Sequence, residues 1–361
     1  MNIVVLGLSL SSSWGNGHAT TYRALLSALS ERGHNILFLE RDQPWYAGQR
    51  DLKNPDFCRL RYYDSVADLD EWKDPVGLAD LVIVGSYVPD GIEVGRWVQQ
   101  QARGITAFYD IDTPVTLAAL ERGTCDYVTP ALIAGYDVYL SFTGGPTLTR
   151  IEEQFGSPCA RALYCSVDTA RYRPVDVPKR WDLSYLGTYS EDRQPGLDRY
   201  LLNAAIVLPD RRFVIAGSQY PDHISWPDNV ERIEHLPPAD HAEFYSASRF
   251  TLNLTRADMV AAGWSPSVRL FEAAACGTAI ISDRWKGIGS LFAPEEEILL
   301  VERGDDILAA LDRDPEPIGR RARAKILRAH GADQRARQLE EILEMLPLAA
   351  GNARPAKAAA W

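Results

Sequence analysis

The stretch SPSVRLFEAAACGTAIISD, Ser265–Asp283, decides the fold, because it predicts a helix that leads directly into a buried strand. Ser265 suits the N-cap and Pro266 the first helical position. Gly277 fits the position just past the helix end. The residues after it, TAII, form a short apolar run typical of a parallel strand that is covered on both faces. A helix followed by such a strand indicates an α/β core.

The same helix offers groups that suit an anionic ligand. Its first backbone N–H groups have no partner within the helix and can bind a diphosphate. Glu272 lies about two turns in, on the face predicted to be exposed, where its carboxylate can accept two hydrogen bonds from a ribose. Arg269 is three residues earlier, so the two side chains can also simply bind each other. The stretch predicts a nucleotide-sugar site or, alternatively, a plain helix–strand unit.

Length and composition restrict the class of protein. A chain of 361 residues exceeds what one hydrophobic core usually supports and predicts two domains. The net charge of −11 argues against a large basic groove for nucleic acid. The first residues, MNIVVLGLSL, lack signal-peptide features, and no apolar run is long enough for a membrane span, so we expect a cytoplasmic protein. The cysteines follow no regular spacing, which predicts free thiols: Cys58, Cys125, Cys159, Cys165 and Cys276.

Strand-like and helix-like runs alternate along the chain, a pattern typical of parallel sheets with helices on both faces. We predict an N-terminal Rossmann-like domain over residues 1–170 and a C-terminal one over 174–331, joined by a proline-rich and charged crossing. Residues 332–346 are predicted to form a C-terminal helix, for which packing back on the N-terminal domain is one arrangement. The small, polar composition of 347–361 predicts a flexible tail.

Ligands of open α/β sheets bind beyond the carboxyl ends of the strands, so the loops there carry the candidates. The loop after the first strand places Gly15, Asn16 and Gly17 before His18, which starts a helix. The helix dipole disfavours a charged imidazole there, which suits a neutral general base. The alternative is a histidine that merely caps or packs on the helix. The loop lacks G-x-G-x-x-G, which argues against a dinucleotide site and a dehydrogenase.

Two further strand ends of the first domain carry candidates for the acceptor side. Asp110 and Asp112 share a face if their strand persists, and either could bind an acceptor or act as base. Asp112 ahead of Thr113-Pro114 is equally an ordinary N-cap. Thr143 and Gly144 lie in SFTGGPTL, which shapes the acceptor side or simply forms a tight turn.

In the second domain, the loop LGTYSEDR contributes Tyr189 and Arg193 just before a predicted helix. The planar guanidinium of an arginine can bind a diphosphate through two parallel hydrogen bonds. The alternative for Arg193 is surface pairing with Glu191 or Asp192.

These motifs resemble a known family. The glycine-rich first loop, the VD…Y.P crossing, LGTYSEDR, HLPPADHAEFYSASRFTLNLTR and RLFEAAACGTAIISD are similar to the GT-B glycosyltransferases. Within them the chain most resembles the bacterial branch related to the spore maturation protein CgeB, with similarity to family 4 enzymes. The resemblance implies an α/β fold of two Rossmann-like, doubly wound domains that face a central cleft. It also implies a nucleotide-sugar donor in the C-terminal domain, an acceptor facing the N-terminal one, and no obligatory metal or cofactor.

The resemblance also implies roles for single residues. Glu272 would bind the donor ribose, Arg193 the phosphates, and His18 would lie by the reaction centre. The predicted donor residues are Tyr189, Arg193, His235 and Leu236 (the base, through backbone groups), Trp264, Ser265, Ser267 and Val268 (the diphosphate region), Arg269 and Glu272. The predicted acceptor-side residues are Gly15, Asn16, Gly17, Asp110, Thr143 and Gly144, with His18 and Asp112 as catalytic candidates.

One position departs from the family pattern. Family 4 enzymes usually carry a second glutamate eight positions before the one that matches Glu272, and here that position is Trp264. The donor-sugar contact is therefore missing or has moved, for example to Asp258, and both stereochemical outcomes stay open. Trp264 could instead form an apolar wall against the sugar or base.

The leading hypothesis is transfer of a sugar, a hexose in the first instance, from a nucleoside diphosphate sugar, UDP-sugar being favoured, to a hydroxyl or amine. The alternatives are a non-catalytic nucleotide-sugar-binding protein and a nucleotide-sugar 2-epimerase on the same fold. Candidate acceptors are a polysaccharide, a small molecule, a protein and modified DNA, and the net negative charge weighs against DNA.

Overall fold

The structure is a computed structural model of the chain, and it describes residues 1–13 and 17–346. Residues 1–166 form one compact unit together with the last described helix, and residues 167–331 form a second. Within the described ranges, no helix combines the length and the apolar content of a membrane-spanning segment.

The first unit is built on a parallel sheet whose strand order is β3-β2-β1-β4-β5-β6-β7. The central strands β1 and β4 are buried along their whole length, because helices cover both faces of a parallel sheet. The strands of this unit are β1 (Asn2–Gly7), β2 (Asn35–Arg41), β3 (Arg59–Tyr63), β4 (Leu81–Gly85), β5 (Ile105–Asp110), β6 (Val138–Ser141) and β7 (Ala160–Ala162).

Helices connect these strands, and local sequence signals set several of their ends. α5 and α7 begin with proline in the first turn and end at Gly123 and Gly156, whose φ angles of 68° and 76° favour glycine. The helices are α1 (His18–Glu31), α2 (Pro44–Ala47), a 3-10 helix (Val66–Trp72), α3 (Lys73–Leu78), α4 (Gly91–Gln101), α5 (Thr113–Arg122), α6 (Pro130–Gly135) and α7 (Pro146–Phe155).

The second unit contains another parallel sheet, with the order β10-β9-β8-β11-β12-β13, which is the strand order of the Rossmann fold. Its strands are β8 (Trp181–Leu186), β9 (Phe213–Ala216), β10 (Val230–Ile233), β11 (Ser248–Asn253), β12 (Ala279–Asp283) and β13 (Leu299–Val301). Its helices are α8 (Gln194–Leu197), a π-helix (Asp198–Leu202), α9 (Asn203–Val207), a 3-10 helix (Pro238–Asp240), α10 (His241–Ser246), α11 (Ala257–Ala262), α12 (Val268–Ala275), α13 (Ile288–Leu291), α14 (Asp306–Leu311) and α15 (Pro315–Ala329).

The final helix of the chain, α16 (Ala332–Met345), belongs to the first unit and packs on α1. Arg32, just after α1, binds Asp333 and Glu340 of α16, and His34 approaches Glu340 at 2.7 Å. The predicted tail, residues 347–361, lies outside the described residues.

The helix that precedes β12 differs from the sequence prediction at its start and agrees at its end. Ser267, not Ser265, is the N-cap of α12, and Ser265 is buried in the preceding loop. At the other end, Gly277 has a φ of 73°, and its N–H donates to Ala274 O at 3.0 Å. Thr278 N–H donates to Ala273 O at 3.1 Å, which completes a Schellman motif. The predicted glycine end and the buried strand after it are confirmed.

A tight contact under this motif gives a stability prediction. A Cβ on Gly319 of α15 would overlap the carbonyl of Gly277, so Gly319→Ala must push the helix away. We expect a loss of about 1–3 kcal/mol in the free energy of unfolding, measured by urea denaturation. Gly48→Ala is the control, since a Cβ there meets no atom within 4 Å and φ is −80°. Equal denaturation midpoints for the two variants would contradict the prediction.

Candidate functional site

A first cluster, which we call the His18 site, consists of His18, Tyr87, Asp110 and Asp112 at the carboxyl ends of β1, β4 and β5. His18 is the first residue of α1, and its ring packs edge-on against Tyr87 with centroids 5.5 Å apart. Its Nδ1 is buried and has no hydrogen-bond partner among the described residues. Burial lowers the pKa of His18 to about 4, so the imidazole is neutral at pH 7, as a general base requires.

Tyr87 links the histidine to Asp112. Its hydroxyl donates to Asp112 Oδ2 at 3.2 Å. Burial, and then the charge of Asp112, raises the pKa of Tyr87, so the hydroxyl stays protonated. The φ of Tyr87 is 61°, a left-handed conformation that costs a bulky residue about 1–3 kcal/mol and persists only where the surroundings hold it. The strained tyrosine therefore contacts both the histidine ring and Asp112.

Asp110 differs from its predicted role. β5 ends at Asp110, so Asp110 and Asp112 do not continue along one strand face. Asp110 is fully buried and accepts hydrogen bonds from Thr116 Oγ1 at 2.8 Å, from the Asp112 N–H at 3.2 Å and from the Tyr139 hydroxyl. Burial raises its pKa to about 6. These internal partners make Asp110 a residue that positions the turn carrying Asp112, and its acceptor-side role stays a prediction.

The loop after β6 is also buried. Thr143 is fully buried, its N–H donates to Ser141 Oγ at 2.9 Å, and its carbonyl accepts from the same hydroxyl at 2.8 Å. A Cβ on Gly144 would overlap the hydroxyl of Tyr164. The loop therefore has the internal hydrogen bonds of a tight turn, and the acceptor-side role of Thr143 and Gly144 stays a prediction.

The glycine-rich part of the first loop is described only at its end. The predicted acceptor-side residues Gly15 and Asn16 lie outside the described residues. Gly17 is the exposed N-cap of α1 with a φ of −78°, a conformation that any residue adopts. The backbone at Gly17 therefore does not require glycine.

A second cluster, which we call the arginine site, consists of Arg193, Asn253, Ser267 and Arg269 at the carboxyl ends of β8 and β11. Strand order reverses between these two neighbouring strands, and this is where open α/β sheets bind ligands. Arg269 Nε donates to the Leu186 carbonyl at 2.6 Å and Nη1 donates to Asn253 Oδ1 at 3.2 Å. These contacts hold the guanidinium of Arg269 at the end of β8.

Arg193 is the N-cap residue of α8, and one of its terminal nitrogens donates to the Thr188 carbonyl at 2.9 Å. Its Nε is buried and has no partner among the described residues. Burial, together with the nearby cations Arg269 and Arg256, lowers the pKa of Arg193 against the opposing effect of Tyr185. A half-buried guanidinium beside a second one can bind a polyanion.

The alternative for Arg193, surface pairing with its acidic neighbours, is not formed among the described residues. Asp192 instead accepts from the Ser190 hydroxyl and from the Ala257 N–H, the latter at 3.0 Å. The charge of Asp192 still acts on Arg193, but the two side chains form no ion pair.

Asn253 is a site residue that the sequence analysis missed. It is fully buried at the end of β11, and its Oδ1 accepts from Ser267 Oγ at 2.7 Å as well as from Arg269. Its Nδ2 donates to Ser282 Oγ at 2.9 Å and to Thr255 Oγ1 at 3.2 Å. One amide thereby joins the start of α12, Arg269 and two strand-end loops. A polar residue closing the apolar run FTLN was the available signal.

Glu272 lies on the buried face of α12, and the prediction of an exposed face is wrong. Its residue exposure is 7%, because Tyr172, His241 and Tyr245 pack against it. Glu272 Oε2 is 3.8 Å from His241 Nδ1, and the Tyr172 hydroxyl is 3.4 Å from the same nitrogen. Burial and the charge of Glu272 raise the pKa of Tyr172. Glu272 makes no pair with Arg269, whose hydrogen bonds go to Leu186 and Asn253.

The remaining predicted donor residues also lie in the second unit. The Leu236 carbonyl is 3.4 Å from His241 Nε2, which places the predicted base segment next to Glu272, while the His235 side chain is exposed. Val268 is half-buried as the first residue of α12. Tyr189 packs edge-on against Tyr220 with centroids 5.7 Å apart.

Trp264, at the position that departs from the family pattern, has an unusual backbone. Its φ is 44°, its N–H donates to the Lys286 carbonyl at 2.6 Å, and its ring lies against Gly287, where a Cβ would overlap it. The ring is half-buried, and Asp258 is exposed on α11. A strained, held aromatic side chain before α12 fits an apolar wall better than a flexible loop.

Comparison with known proteins adds to this geometry. Residues 193–341 match a family profile described as glycosyl transferase-like. Sucrose-phosphate synthase from Thermosynechococcus elongatus matches with a TM-score of 0.68 at 17% identity, over 96% of this chain and 99% of that one. Anabaena Alr3699/HepE in complex with UDP matches with a TM-score of 0.69 at 13% identity, over 96% and 100%. The chain has the GT-B glycosyltransferase fold.

A further structure with this GT-B fold is an α-glucosyltransferase in complex with UDP and a 13-mer DNA containing an HMU base. It matches with a TM-score of 0.69 at 13% identity, over 95% of this chain and 99% of that one. Comparison with curated proteins finds no match. The predicted fold class, two Rossmann-like parallel-sheet domains, is confirmed. The CgeB-like branch stays a prediction.

Proposed function

We propose that this protein transfers a sugar from a nucleoside diphosphate sugar, with UDP-sugars favoured, to an acceptor hydroxyl or amine. The observation that carries the proposal is the pair Arg193 and Arg269, held beside the start of α12 with little compensating charge. The glycosyl transferase-like profile over residues 193–341 supports it, as do neighbours of the same fold solved with UDP or UDP-glucose. A hexose donor and a place in the CgeB-like branch are the finer parts of this proposal.

The proposed reaction breaks the bond between the sugar C1 and the β-phosphate oxygen and forms a bond between C1 and the acceptor oxygen or nitrogen. The acceptor proton passes to a base, for which His18 is the first candidate and Asp112 the second. The nucleoside diphosphate leaves with the bonding electrons, and the arginines and the N–H groups of α12 stabilise its charge in the role that a metal has elsewhere.

Trp264 favours a second candidate function, a protein that binds a nucleotide sugar without turning it over. A tryptophan stands where family 4 enzymes usually have a glutamate, so the usual donor-sugar contact is missing or has moved. Turnover distinguishes the two functions. His18→Ala and Asp112→Ala should leave donor binding unchanged whichever function is right, but they should lower a transfer rate only if the protein is an enzyme. The 2-epimerase alternative needs several carboxylates around the sugar, and the arginine site contributes none.

The test is thermal stability with UDP, TDP, GDP, ADP and CMP and with their common sugar forms, in wild type and Glu272→Gln. A nucleotide at a hundred times its Kd should stabilise the wild type by about 2.7 kcal/mol. The variant should lose most of this stabilisation, because the amide has one accepting oxygen where the carboxylate that we propose to bind the ribose has two. Glu341→Gln, an exposed substitution on α16, is the matched control. If no nucleotide raises the melting temperature of the wild type, the proposed donor site is wrong.

A further inference from the structure

Three successive backbone carbonyls at the end of β8, residues 186–188, each accept a hydrogen bond from a different side chain. We call these residues the carbonyl segment. The bonds run from Arg269 to Leu186 at 2.6 Å, from Tyr220 to Gly187 at 3.0 Å and from Arg193 to Thr188 at 2.9 Å. The hydroxyl of Tyr220 therefore binds the same short segment that holds both guanidinium groups of the arginine site.

The loop after β9, which carries Tyr220, packs against the carbonyl segment without space for a side chain between them. Gly217 has a φ of 149°, which favours glycine, and a Cβ there would overlap the carbonyl of Gly187. The N–H of Tyr189 donates to the Ser218 carbonyl at 3.0 Å. A displacement of one of these two loops therefore displaces the other.

The ring of Tyr220 is held by Arg232 of β10. The guanidinium carbon of Arg232 lies 4.2 Å from the centroid of the Tyr220 ring and 4.4 Å from that of Trp226, both within the range of cation–π attraction. Its terminal nitrogens donate to the carbonyls of Ile215 and Gly217, at 3.0 and 3.2 Å. Arg232 therefore joins the end of β9 to the tyrosine ring and fixes the direction of its hydroxyl.

The backbone just before Tyr220 is strained. Gln219 has a φ of 67°, in the left-handed region that favours glycine. Such a conformation persists only where the surrounding contacts hold it, and it is concentrated at functional sites. The loop also follows the carboxyl end of a parallel strand, the edge of the sheet at which ligands bind. Both observations indicate that the placement of Tyr220 serves the ligand site.

We propose that Tyr220 is a positioning residue of the arginine site and that Arg232 holds it in that role. This inference rests on the proposed glycosyltransferase function and adds residues that act on donor binding from outside the site. The Tyr220 hydroxyl fixes the carbonyl segment, and the carbonyl segment fixes Arg193 and Arg269. Two guanidinium groups bind one diphosphate only at the right separation, so a small shift of this segment weakens the binding of the diphosphate.

The test compares two tyrosines that each lose only a hydroxyl. Tyr220→Phe removes the hydrogen bond to Gly187, and the control Tyr200→Phe removes one of the same length, 3.0 Å, to the Glu302 carbonyl in the same unit. Isothermal titration calorimetry measures the Kd of UDP, TDP, GDP and ADP and of their nucleosides. For a diphosphate that the wild type binds, Tyr220→Phe should raise the Kd about tenfold, or about 1.4 kcal/mol, and Tyr200→Phe should not change it. The nucleoside, which has no phosphate, should bind all three proteins equally.

Arg232→Lys is a second variant that keeps the positive charge. A lysine cannot donate to two carbonyls as the planar guanidinium does, so this variant should also weaken diphosphate binding. Combined with Tyr220→Phe it should add little, because both changes act through the carbonyl segment.

Two results would overturn the inference and leave the donor site standing. The first is a diphosphate affinity that Tyr220→Phe does not change. The second is an equal loss for the diphosphate and its nucleoside, because Tyr220 would then contact the base directly. If the wild type binds none of the four diphosphates, the proposed function is wrong and the inference is wrong with it.

Discussion

Replacing His18 by alanine is expected to lower kcat by about 10²- to 10⁴-fold and to leave nucleotide affinity unchanged. The reason is geometric: the ring starts α1, is kept neutral by burial, and belongs to the first unit, whereas the arginine site belongs to the second. Steady-state transfer rates and the nucleotide-dependent shift in melting temperature measure the two effects separately. An equal loss in both would contradict a role restricted to proton transfer.

The pH dependence gives the same prediction a second test. Because the protonated ring cannot accept a proton, activity should fall only as pH drops through the pKa of His18. With that pKa lowered to about 4 from the ordinary 6.5, the lower limb of kcat/KM should lie near pH 4 and the profile should be flat around neutrality. A lower limb near 6.5 would mean that the ring is solvated.

Asp112→Asn is the matched comparison for the histidine. If Asp112 is the base, this variant loses the rate and His18→Ala does not. Asp112 could instead act through Tyr87, whose hydroxyl donates a hydrogen bond to it at 3.2 Å. In that case Asp112→Asn should lower the rate less, because an amide oxygen can still accept that hydrogen bond. In that case Tyr87→Phe should lower kcat by a factor similar to that of Asp112→Asn. The double variant should then be little worse than Tyr87→Phe alone.

The central strands could be predicted from the sequence because burial on both faces of a parallel sheet leaves a continuous apolar run, as in NIVVLG and LVIVG. The edge strands β3, β7 and β13 could not. β3 has the sequence RLRYY with partly exposed positions, and β7 and β13 have three residues each. Their strand conformation depends on pairing with a neighbour that is distant in sequence.

The site divides in the same way. The helix boundary at Gly277 follows from local backbone chemistry, so it could be predicted. The buried face of Glu272 depends on Tyr172, about a hundred residues earlier, and no local pattern contains that contact. The N-cap was misplaced because Ser265 and Ser267 both suit the role, and the choice between them depends on the hydrogen bond from Ser267 to Asn253.

Removing either arginine of the arginine site should lower kcat/KM by about 10²- to 10³-fold, the usual effect of deleting one preorganised group that stabilises developing charge. Arg269→Lys should be nearly as damaging as Arg269→Ala, because a lysine cannot donate to Leu186 and Asn253 together while facing a phosphate. Arg193→Lys should retain more activity, since Arg193 has a single hydrogen bond to the protein.

Stability distinguishes this role from a structural one. The lowered pKa of Arg193 means that the fold disfavours its charged form, through burial and the nearby cations. Arg193→Met should therefore leave the melting temperature of the ligand-free protein unchanged or raise it, while it abolishes the stabilisation by nucleotide. Arg199→Met, at an exposed position in the adjoining π-helix, should change neither property. A cation that serves to bind an anionic ligand costs stability when no ligand is bound, so its removal should not destabilise the ligand-free protein. If Arg193→Met does destabilise the ligand-free protein, the arginine supports the fold instead.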